Sequence, residues 1–324
     1  MIQIDKNTFF SITQVFDYMP FTQSMGWWAM NSGKDESHFV FFVDNMEKPS
    51  IACLGYVMRK FGLKMLQIEG ECFFSKKEIE SKKIRDFYRE ISQTDFDIIE
   101  INSSLKYNML YEIGIREAGY LKPVGLFSIP LTIEIDLKNK IEFDRNWKRN
   151  LEKAAKNDLE FEIITQLSEK DYSDFCTIYN IMTERKNVGN HIDNNQVINI
   201  LADNSFQLFF VKQYDKRIAA IITYCRNNFS IGVFAGSTNE ALSVSATFFM
   251  YNQLFQYFKN KGVKVYDMAR ICPGTHSKQS VFLFKNGVRG EYVQYCGEFS
   301  FYKRQIYRYL MYFVKKYLFK KVEV

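Results

Sequence analysis

The alternation of apolar and polar positions along this chain predicts one order of elements twice. Two helices, three consecutive strands, a helix, a strand, a helix and a final strand are predicted over residues 5–134, and the same succession returns over residues 168–296. The repeat lies in the hydrophobic pattern and not in residue identity. It favours a duplicated α+β unit, and a cleft between two such halves can bring two large substrates together.

Short turns separate the three consecutive strands of each half, which predicts an antiparallel meander. The first half is predicted to contain helices at 9–19, around Trp27, at 75–92 and at 107–118, with strands at 38–43, 51–58, 63–74, 96–101 and 124–135. The second half is predicted to contain helices at 169–185, 194–202, 245–260 and 277–286, with strands at 206–213, 217–226, 229–236, 263–269 and 291–296.

The length of 324 residues exceeds the size at which single hydrophobic cores usually stop growing. Two domains are therefore predicted, at residues 1–140 and 141–324, with a basic linker helix at 145–157 in the second. The pattern shows no leader segment and no apolar run near the ~20 residues that cross a bilayer. Six cysteines are scattered singly. These features predict a soluble cytoplasmic protein with reduced cysteines and no metal site.

The positive charge of the chain is concentrated at its end. Residues 302–324 hold seven Lys or Arg residues against one Glu, which accounts for the whole net charge of +6. Seven Tyr or Phe residues alternate with these cations. A helix over 302–321 with this composition fits a membrane surface or nucleic-acid phosphates. It equally fits a terminal helix whose aromatic face packs on its own domain.

Five short motifs carry a resemblance to a known family. They are Gln23-Ser24 with Trp27, the linker sequence that begins at Trp147 (Trp-Lys-Arg-Asn-Leu-Glu-Lys-Ala), Thr183 with Arg185, Val265-Tyr-Asp267, and Phe284-Lys285. Each is short, and it is their order and spacing along both halves that matters. In this respect the chain resembles the FemABX group of peptidyl transferases, over nearly its whole length.

The resemblance implies two tandem GNAT-like domains, each with a mixed, mostly antiparallel sheet flanked by helices. It also implies transfer of an aminoacyl or acyl group to an amine, commonly on a cell-envelope precursor. The donor is aminoacyl-tRNA in FemABX enzymes and acyl-CoA in other proteins with this double fold. No tightly bound cofactor is implied, and the chain is similar to the members that have no helical arm.

Lys285 and Asp267 are the predicted catalytic residues. In the family pattern, the lysine that matches Lys285 follows a phenylalanine in the last helix, and a fixed cation there would stabilise charge on the departing group. Asp267 ends a buried strand, where it can orient Lys285 or the incoming amine. The alternatives are a solvated lysine and an aspartate that caps the next turn. His38, His191 and His276 sit in dissimilar contexts, so direct attack within a ternary complex is favoured over a covalent intermediate.

Substrate binding is assigned to the remaining motif residues. Arg185 can fork onto a phosphate or carboxylate, or it can be an ordinary cation at a helix end. Arg149 and Lys153 share one face of the linker helix and can meet a phosphate-rich donor, or simply be solvated. Gln23 and Trp27 lie where the family places acceptor contacts, although packing explains them better.

Two departures from the family pattern narrow the range of expected substrates. Asn31 stands where a lysine often follows the tryptophan by about four residues, which argues against the usual nucleotide-sugar peptide acceptor. The glycine-rich turn that holds the CoA pyrophosphate in GNAT domains is replaced by residues 235–243, with Gly236 alone and Glu240 adding the wrong charge.

The leading hypothesis is therefore a FemABX-like N-acyltransferase, cytoplasmic and possibly peripheral at the inner membrane surface through 302–321. Its partners would be an activated carrier, either tRNA or CoA, and an amine-bearing envelope precursor. One alternative is an acyl-CoA-dependent acetyltransferase of amino sugars in surface-polysaccharide synthesis. The other is a non-catalytic module that binds a membrane or RNA.

Overall fold

The computed structural model describes residues 1–33, 35–125, 128–187, 189, 191–274 and 279–318. These residues form two compact units. The first contains Met1–Trp28, Ser32–Leu131 and the described residues from Val293 onward, and the second contains Ala29–Asn31 and Thr132–Tyr292. His276, the predicted helical positions 277 and 278, and tail positions 319–321 lie outside the described residues.

The first unit contains a mixed sheet and five helices among its described residues. The helices are α1 (Lys6–Thr13), α2 (Met25–Ser32, of which Ala29–Asn31 belong to the second unit), α3 (Ser81–Ser92), α4 (Met109–Glu117) and α11 (Gln305–Phe313). The strands are β1 (Ile2–Ile4), β2 (Phe39–Val43), β3 (Ile51–Lys60), β4 (Leu63–Ile68), β5 (Cys72–Phe73), β6 (Ile98–Lys106) and β13 (Glu291–Tyr302, in this unit from Val293).

The strand order in the first unit is β1-β2-β3-β4-β6-β13, and β5 pairs with β3. Neighbouring strands are antiparallel, except for β4 and β6, which run parallel over Met65–Ile68 and Ile98–Ile101. The predicted meander is confirmed in β2, β3 and β4. It forms because turns of a few residues can join only antiparallel neighbours.

The second unit repeats this arrangement. Its helices are α5 (Arg145–Ala154), α6 (Glu169–Arg185), α7 (Asn194–Leu201), α8 (Asn239–Ser243), α9 (Ala246–Asn260) and α10 (Gln279–Asn286). Its strands are β7 (Leu131–Asp136, in this unit from Thr132), β8 (Leu159–Ile163), β9 (Phe206–Gln213), β10 (Lys216–Arg226), β11 (Phe229–Ser237) and β12 (Val265–Asp267). They are ordered β7-β12-β11-β10-β9-β8. All pairs are antiparallel except β11 with β12.

The last strand extends beyond its predicted end. The strand predicted at 291–296 continues to Tyr302 as β13, and from Tyr295 onward it pairs with β6. The prediction divided the chain once, at 140 and 141, and grouped 302–321 with the second half. The structure instead groups β13 from Val293, together with α11, with the first unit. Hydrophobic periodicity reveals a strand but not its neighbours, because pairing depends on residues distant in sequence.

Some predicted boundaries in the first half also shift. The strand predicted at 63–74 is two strands, because Gly70 adopts a left-handed φ of +86° between them. A Cβ at Gly70 would lie 3.0 Å from the Pro20 ring, so both conformation and space require glycine there. The strand predicted at 124–135 is shorter and begins at Leu131.

A buried carboxyl group lies in the core of the first unit. Glu71 is fully buried and accepts hydrogen bonds from the Tyr88 and Tyr111 hydroxyls and, at 2.8 Å, from Ser103 Oγ. Burial raises the pKa of Glu71, and the three hydrogen bonds oppose this only in part. The proton is therefore held more tightly in the folded state than in the unfolded chain.

This sets a pH dependence of stability. Between the ordinary glutamate pKa of 4.5 and the raised folded value, the unfolded chain releases the proton while the folded state keeps it. We expect the contribution of Glu71 to the unfolding free energy to fall as pH rises through this range. Glu71→Gln should stay within about 1 kcal/mol of the parent at pH 4.5, because the amide can still satisfy all three hydroxyls. The substitution should also flatten the slope of the unfolding free energy against pH above pH 4.5.

Urea denaturation across a pH series measures this slope. Parallel curves for Glu71→Gln and the parent protein would contradict the expectation.

Candidate functional site

Lys285 and Asp267 belong to one site in the second unit. Lys285, on α10, donates from Nζ to the carbonyl oxygens of Ala269 at 3.3 Å and Arg270 at 2.9 Å. Both carbonyls belong to the turn that follows β12, and Asp267 is the last residue of that strand. The structure thus brings the two predicted catalytic residues to the two sides of one turn.

This turn has a strained backbone that side-chain hydrogen bonds hold in place. Ala269 has a left-handed φ of +60°, which is unfavourable for a residue with a Cβ atom. The fully buried Asp267 carboxylate accepts from the Ala269 N–H at 2.7 Å. The Thr132 hydroxyl lies within hydrogen-bonding distance of both the Asp267 carboxylate and the Ala269 carbonyl. Together these contacts direct two carbonyl oxygens at the Lys285 ammonium.

The environment of Lys285 makes its charge easy to remove. Burial lowers the pKa of Lys285 to about 8, and the positive charge of Lys186 acts in the same direction. The negative charge of the Asp267 carboxylate opposes these effects. A pKa near neutrality in a partly enclosed lysine is typical of groups with a chemical role.

The site lies where two parallel strands separate. β12 pairs with β11 only over Phe229–Ile231 and ends at Asp267, whereas β11 continues to Ser237. The carboxyl ends of parallel strands that separate in this way are common ligand positions in sheets. The turn after β12 and the second half of β11 therefore border the candidate site.

Arg185, the last residue of α6, lies beside the C-terminal end of β11. Its guanidinium donates to Asn239 Oδ1 at 2.9 Å and to Ser237 Oγ at 3.2 Å, and the side chain is exposed. The next residue is Lys186, which is exposed but whose pKa is lowered by partial desolvation of its ammonium and by repulsion from Arg185. Arg185, Lys186 and Lys285 thus form a linked group of cations, which favours an anionic ligand.

The linker helix α5 packs against α10 next to Lys285. Trp147, on α5, is fully buried, and its indole N–H donates to the Phe284 carbonyl at 2.6 Å. The two rings have centroids 4.9 Å apart. A Cβ at Gly287 would lie 2.4 Å from the indole, so α10 can approach Trp147 this closely only with glycine there. The motifs around Trp147 and Phe284-Lys285 therefore meet in space.

The other residues predicted for substrate binding have different settings. Arg149 and Lys153 are exposed on α5, and Arg149 donates to Asn146 Oδ1 at 3.1 Å. Gln23 is fully buried, and its amide pairs with the Leu54 backbone at 2.6 Å and 3.1 Å. This geometry favours a packing role for Gln23. Trp27 is partly buried, with its ring edge against Phe21. Their roles toward a substrate stay predictions.

Sequence reasoning missed Thr132 and the carbonyls of Ala269 and Arg270. A threonine in a strand carries no distinguishing pattern, and a left-handed alanine cannot be recognised from its identity. The antiparallel pairing of β7 with β12 places Glu134 opposite Asp267, and Thr132, two residues further along β7 on the same face, reaches the Asp267 carboxylate through its hydroxyl. Only that pairing reveals its role.

Two further findings concern possible metal ligands and possible membrane-spanning helices. In the part of the chain that the structure describes, no group of three His, Cys, Asp or Glu side chains could hold a metal ion. Each helix formed by the described residues is too short or too polar to traverse a bilayer.

Comparison with known proteins identifies the fold. No family model matches the chain, and no curated protein matches its sequence. The crystal structure of FemX is similar with a TM-score of 0.75 and 12% identity, over 96% of this chain and 100% of that one. The structure of L-PGS from Bacillus licheniformis is similar with a TM-score of 0.64 and 10% identity, over 95% and 96% of the two chains.

A third similar structure is the C-terminal domain of a putative lysylphosphatidylglycerol synthetase from Agrobacterium fabrum. Its TM-score is 0.57 at 9% identity, over 81% of this chain and 83% of that one. At such identities the likeness concerns the fold. The chain has the FemX-like fold, with two GNAT-like units that each hold a mixed, mostly antiparallel sheet flanked by helices, as the sequence predicted.

Proposed function

We propose that this protein is a FemABX-like N-acyltransferase that moves an aminoacyl or acyl group from an activated carrier to an amine of a cell-envelope precursor. The observation that carries the proposal is the Lys285 ammonium held by the Ala269 and Arg270 carbonyls at the end of β12. The FemX-like fold supports it as well.

The reaction needs no covalent enzyme intermediate. The neutral amine of the acceptor attacks the carbonyl carbon of the donor ester, and a carbon–nitrogen bond forms. The tetrahedral intermediate then releases the carrier oxygen with the bonding electron pair. The amine loses one proton, which this oxygen takes up to become the carrier's hydroxyl group. Lys285, as a cation, stabilises negative charge that develops on the departing oxygen.

Asp267 and Thr132 position this cation in the proposal. They hold the turn whose carbonyls fix the Lys285 side chain. Arg185 contributes positive charge toward an anionic part of the donor or acceptor, from its anchored place beside Ser237 and Asn239.

The turn after β11 favours aminoacyl-tRNA over acyl-CoA as donor. Gly236 packs against α6, since a Cβ there would lie 2.8 Å from Tyr179 Cα. Thr238 already caps α8 through the Ala241 N–H at 3.2 Å, and Glu240 pairs with Lys216 at 2.7 Å. The glycine and the helix end are thus occupied by internal contacts, where a CoA pyrophosphate would need free amides. A tRNA donor would place the reaction in the cytoplasm.

A thermal-shift series tests the donor. We expect charged tRNA at about a hundredfold excess over Kd to raise Tm by about 5 °C. Acetyl-CoA should give no comparable shift. Arg149→Ala should reduce the tRNA shift, and the effect should weaken at high salt because phosphate contacts release counterions.

Lys148→Ala is the matched control, since Lys148 is an exposed cation on another face of the same helix. Protection by acetyl-CoA alone would refute the tRNA route and favour the amino-sugar acetyltransferase. Absence of transfer to any amine, with either donor, would refute the enzyme hypothesis.

A further inference from the structure

We propose that α11 and the helical turn that follows it dock on a lipid surface that carries anionic headgroups. The docking surface is an outer stripe formed by Ile306, Tyr309, Phe313 and Tyr317. These side chains are 63%, 62%, 55% and 62% exposed. Their spacing of three, four and four residues places them on one face of a helix. The Phe313 and Tyr317 rings stack with centroids 5.8 Å apart, so the stripe continues into the turn.

The opposite face holds the helix in the first unit. Met311 is 4% exposed and packs with Met65 and Ile98. Lys315 is fully buried, and its Nζ lies 3.1 Å from a Glu100 carboxylate oxygen and 3.4 Å from the Gly125 carbonyl. The two interpretations of the basic tail were docking on a charged surface and packing on its own domain. In our proposal they describe different faces of one helix. The stripe is already formed, so docking costs little ordering entropy.

The chemistry of the stripe fits the boundary between headgroups and acyl chains. Tyrosine rings combine an apolar body with a polar hydroxyl, and an aliphatic residue such as Ile306 gains free energy when acyl chains replace water. Residues 302–318 contain five cations and no acid, and four of these cations remain for the outer surface because Lys315 is buried against Glu100. Lys303 also lies 3.5 Å from the exposed Asp95 carboxylate. Lys303 and Arg304 are exposed beside the first turn of the helix. Cations close to such a surface are attracted to anionic headgroups, and this attraction weakens as salt screens it.

Charge disfavours a second copy of this chain as the occupant. In a symmetric contact, the same patch faces itself across the two-fold axis. The cations of 302–318 other than the buried Lys315 would then face those of the other copy, without acids from the same segment to pair them. Nucleic acid would satisfy the charge, but it would leave Ile306 and much of the aromatic surface without an apolar partner. An anionic lipid surface satisfies both.

Co-sedimentation with vesicles tests this proposal, using the full chain. The vesicles contain phosphatidylcholine alone or an equimolar mixture with phosphatidylglycerol. We expect binding to the mixed vesicles, weaker at high salt, and little binding to phosphatidylcholine. Tyr309→Ser/Phe313→Ser/Tyr317→Ser should reduce the affinity for mixed vesicles at least about tenfold, because three aromatic side chains no longer insert. Thermal melting should confirm that this variant folds.

The matched control is Met109→Ser/Ile113→Ser on α4, which removes apolar side chains that are 66% and 41% exposed on the same unit. It should bind the mixed vesicles like the parent protein. The proposal is overturned if the triple variant binds as well as the parent, or if phosphatidylcholine vesicles bind equally. It is also overturned if the stripe residues prove necessary only for self-association or for binding tRNA. The measurement uses no donor or acceptor, so it is independent of the proposed enzymatic activity.

Discussion

Replacing Lys285 by alanine is expected to lower kcat for acyl transfer by about 100- to 1000-fold, the loss that removal of one charge-stabilising group causes in an acyl-transfer site. The reason is that the variant lacks the ammonium which Ala269 and Arg270 hold in place and which, in the proposed reaction, stabilises charge on the departing group. KM should change little, since the interaction develops only in the transition state. Steady-state kinetics with the donor identified by thermal shift measures this effect.

The pH profile separates this role from a structural one. Lys285 must be protonated to act as a cation, and its pKa is lowered to about 8. Activity should therefore fall as pH rises through about 8, whereas a lysine of ordinary pKa would stay charged to about pH 10. In Lys285→Arg the side chain stays charged, so any residual activity should lack this alkaline decline.

Thr132 provides a matched pair of variants for the same site. Thr132→Ser keeps the hydroxyl that lies within hydrogen-bonding distance of Asp267 and Ala269, and Thr132→Val removes it. Only Thr132→Val should displace the alkaline limb of the pH profile. Full activity in Lys285→Ala, with an unchanged profile, would refute the catalytic role of the lysine.

Replacing Trp147 by alanine is expected to reduce the unfolding free energy by about 3–5 kcal/mol, as is usual when a large buried aromatic residue is truncated. Its indole contacts the rings of Phe143, Phe248 and Phe284, with centroids about 5.0, 5.0 and 4.9 Å away. The change leaves a cavity under α10, and it also removes the donor to the Phe284 carbonyl. Urea denaturation followed by far-UV circular dichroism measures the loss.

Trp147→Phe is the control for this change. It keeps part of the ring packing, but it loses the hydrogen bond and some ring volume, so we expect a smaller decrease of about 1–3 kcal/mol. If both variants unfold at the same urea concentration as the parent protein, Trp147 does not support α10 in the way described here.

The sequence predicted the elements that depend on local periodicity. The meanders and the paired helices of both units arise from apolar repeats of two or near 3.6 residues, and from turns too short for a crossover. The resemblance that rests on Gln23, Trp147, Arg185, Asp267 and Lys285 pointed to the FemX-like fold, which the comparisons confirm. These features could be predicted because residues close together in the sequence encode them.

Contacts between residues that are distant in sequence could be identified only from the tertiary structure. The pairing of β13 with β6, the burial of Gln23 and the approach of Thr132 to Asp267 join residues far apart along the chain. The left-handed turn at Ala269 is strained by itself, and it persists because these distant groups hold it.

The terminal helix shows the same division between local and distant information. Its composition predicted an amphipathic basic helix, which local sequence encodes. Which face is buried was decided by the packing of Met311 and by the ion pair of Lys315 with Glu100. Local sequence by itself therefore determined what the segments of this protein are. Burial and pairing between distant segments determined where they lie, because those free energies exist only once the chain has folded.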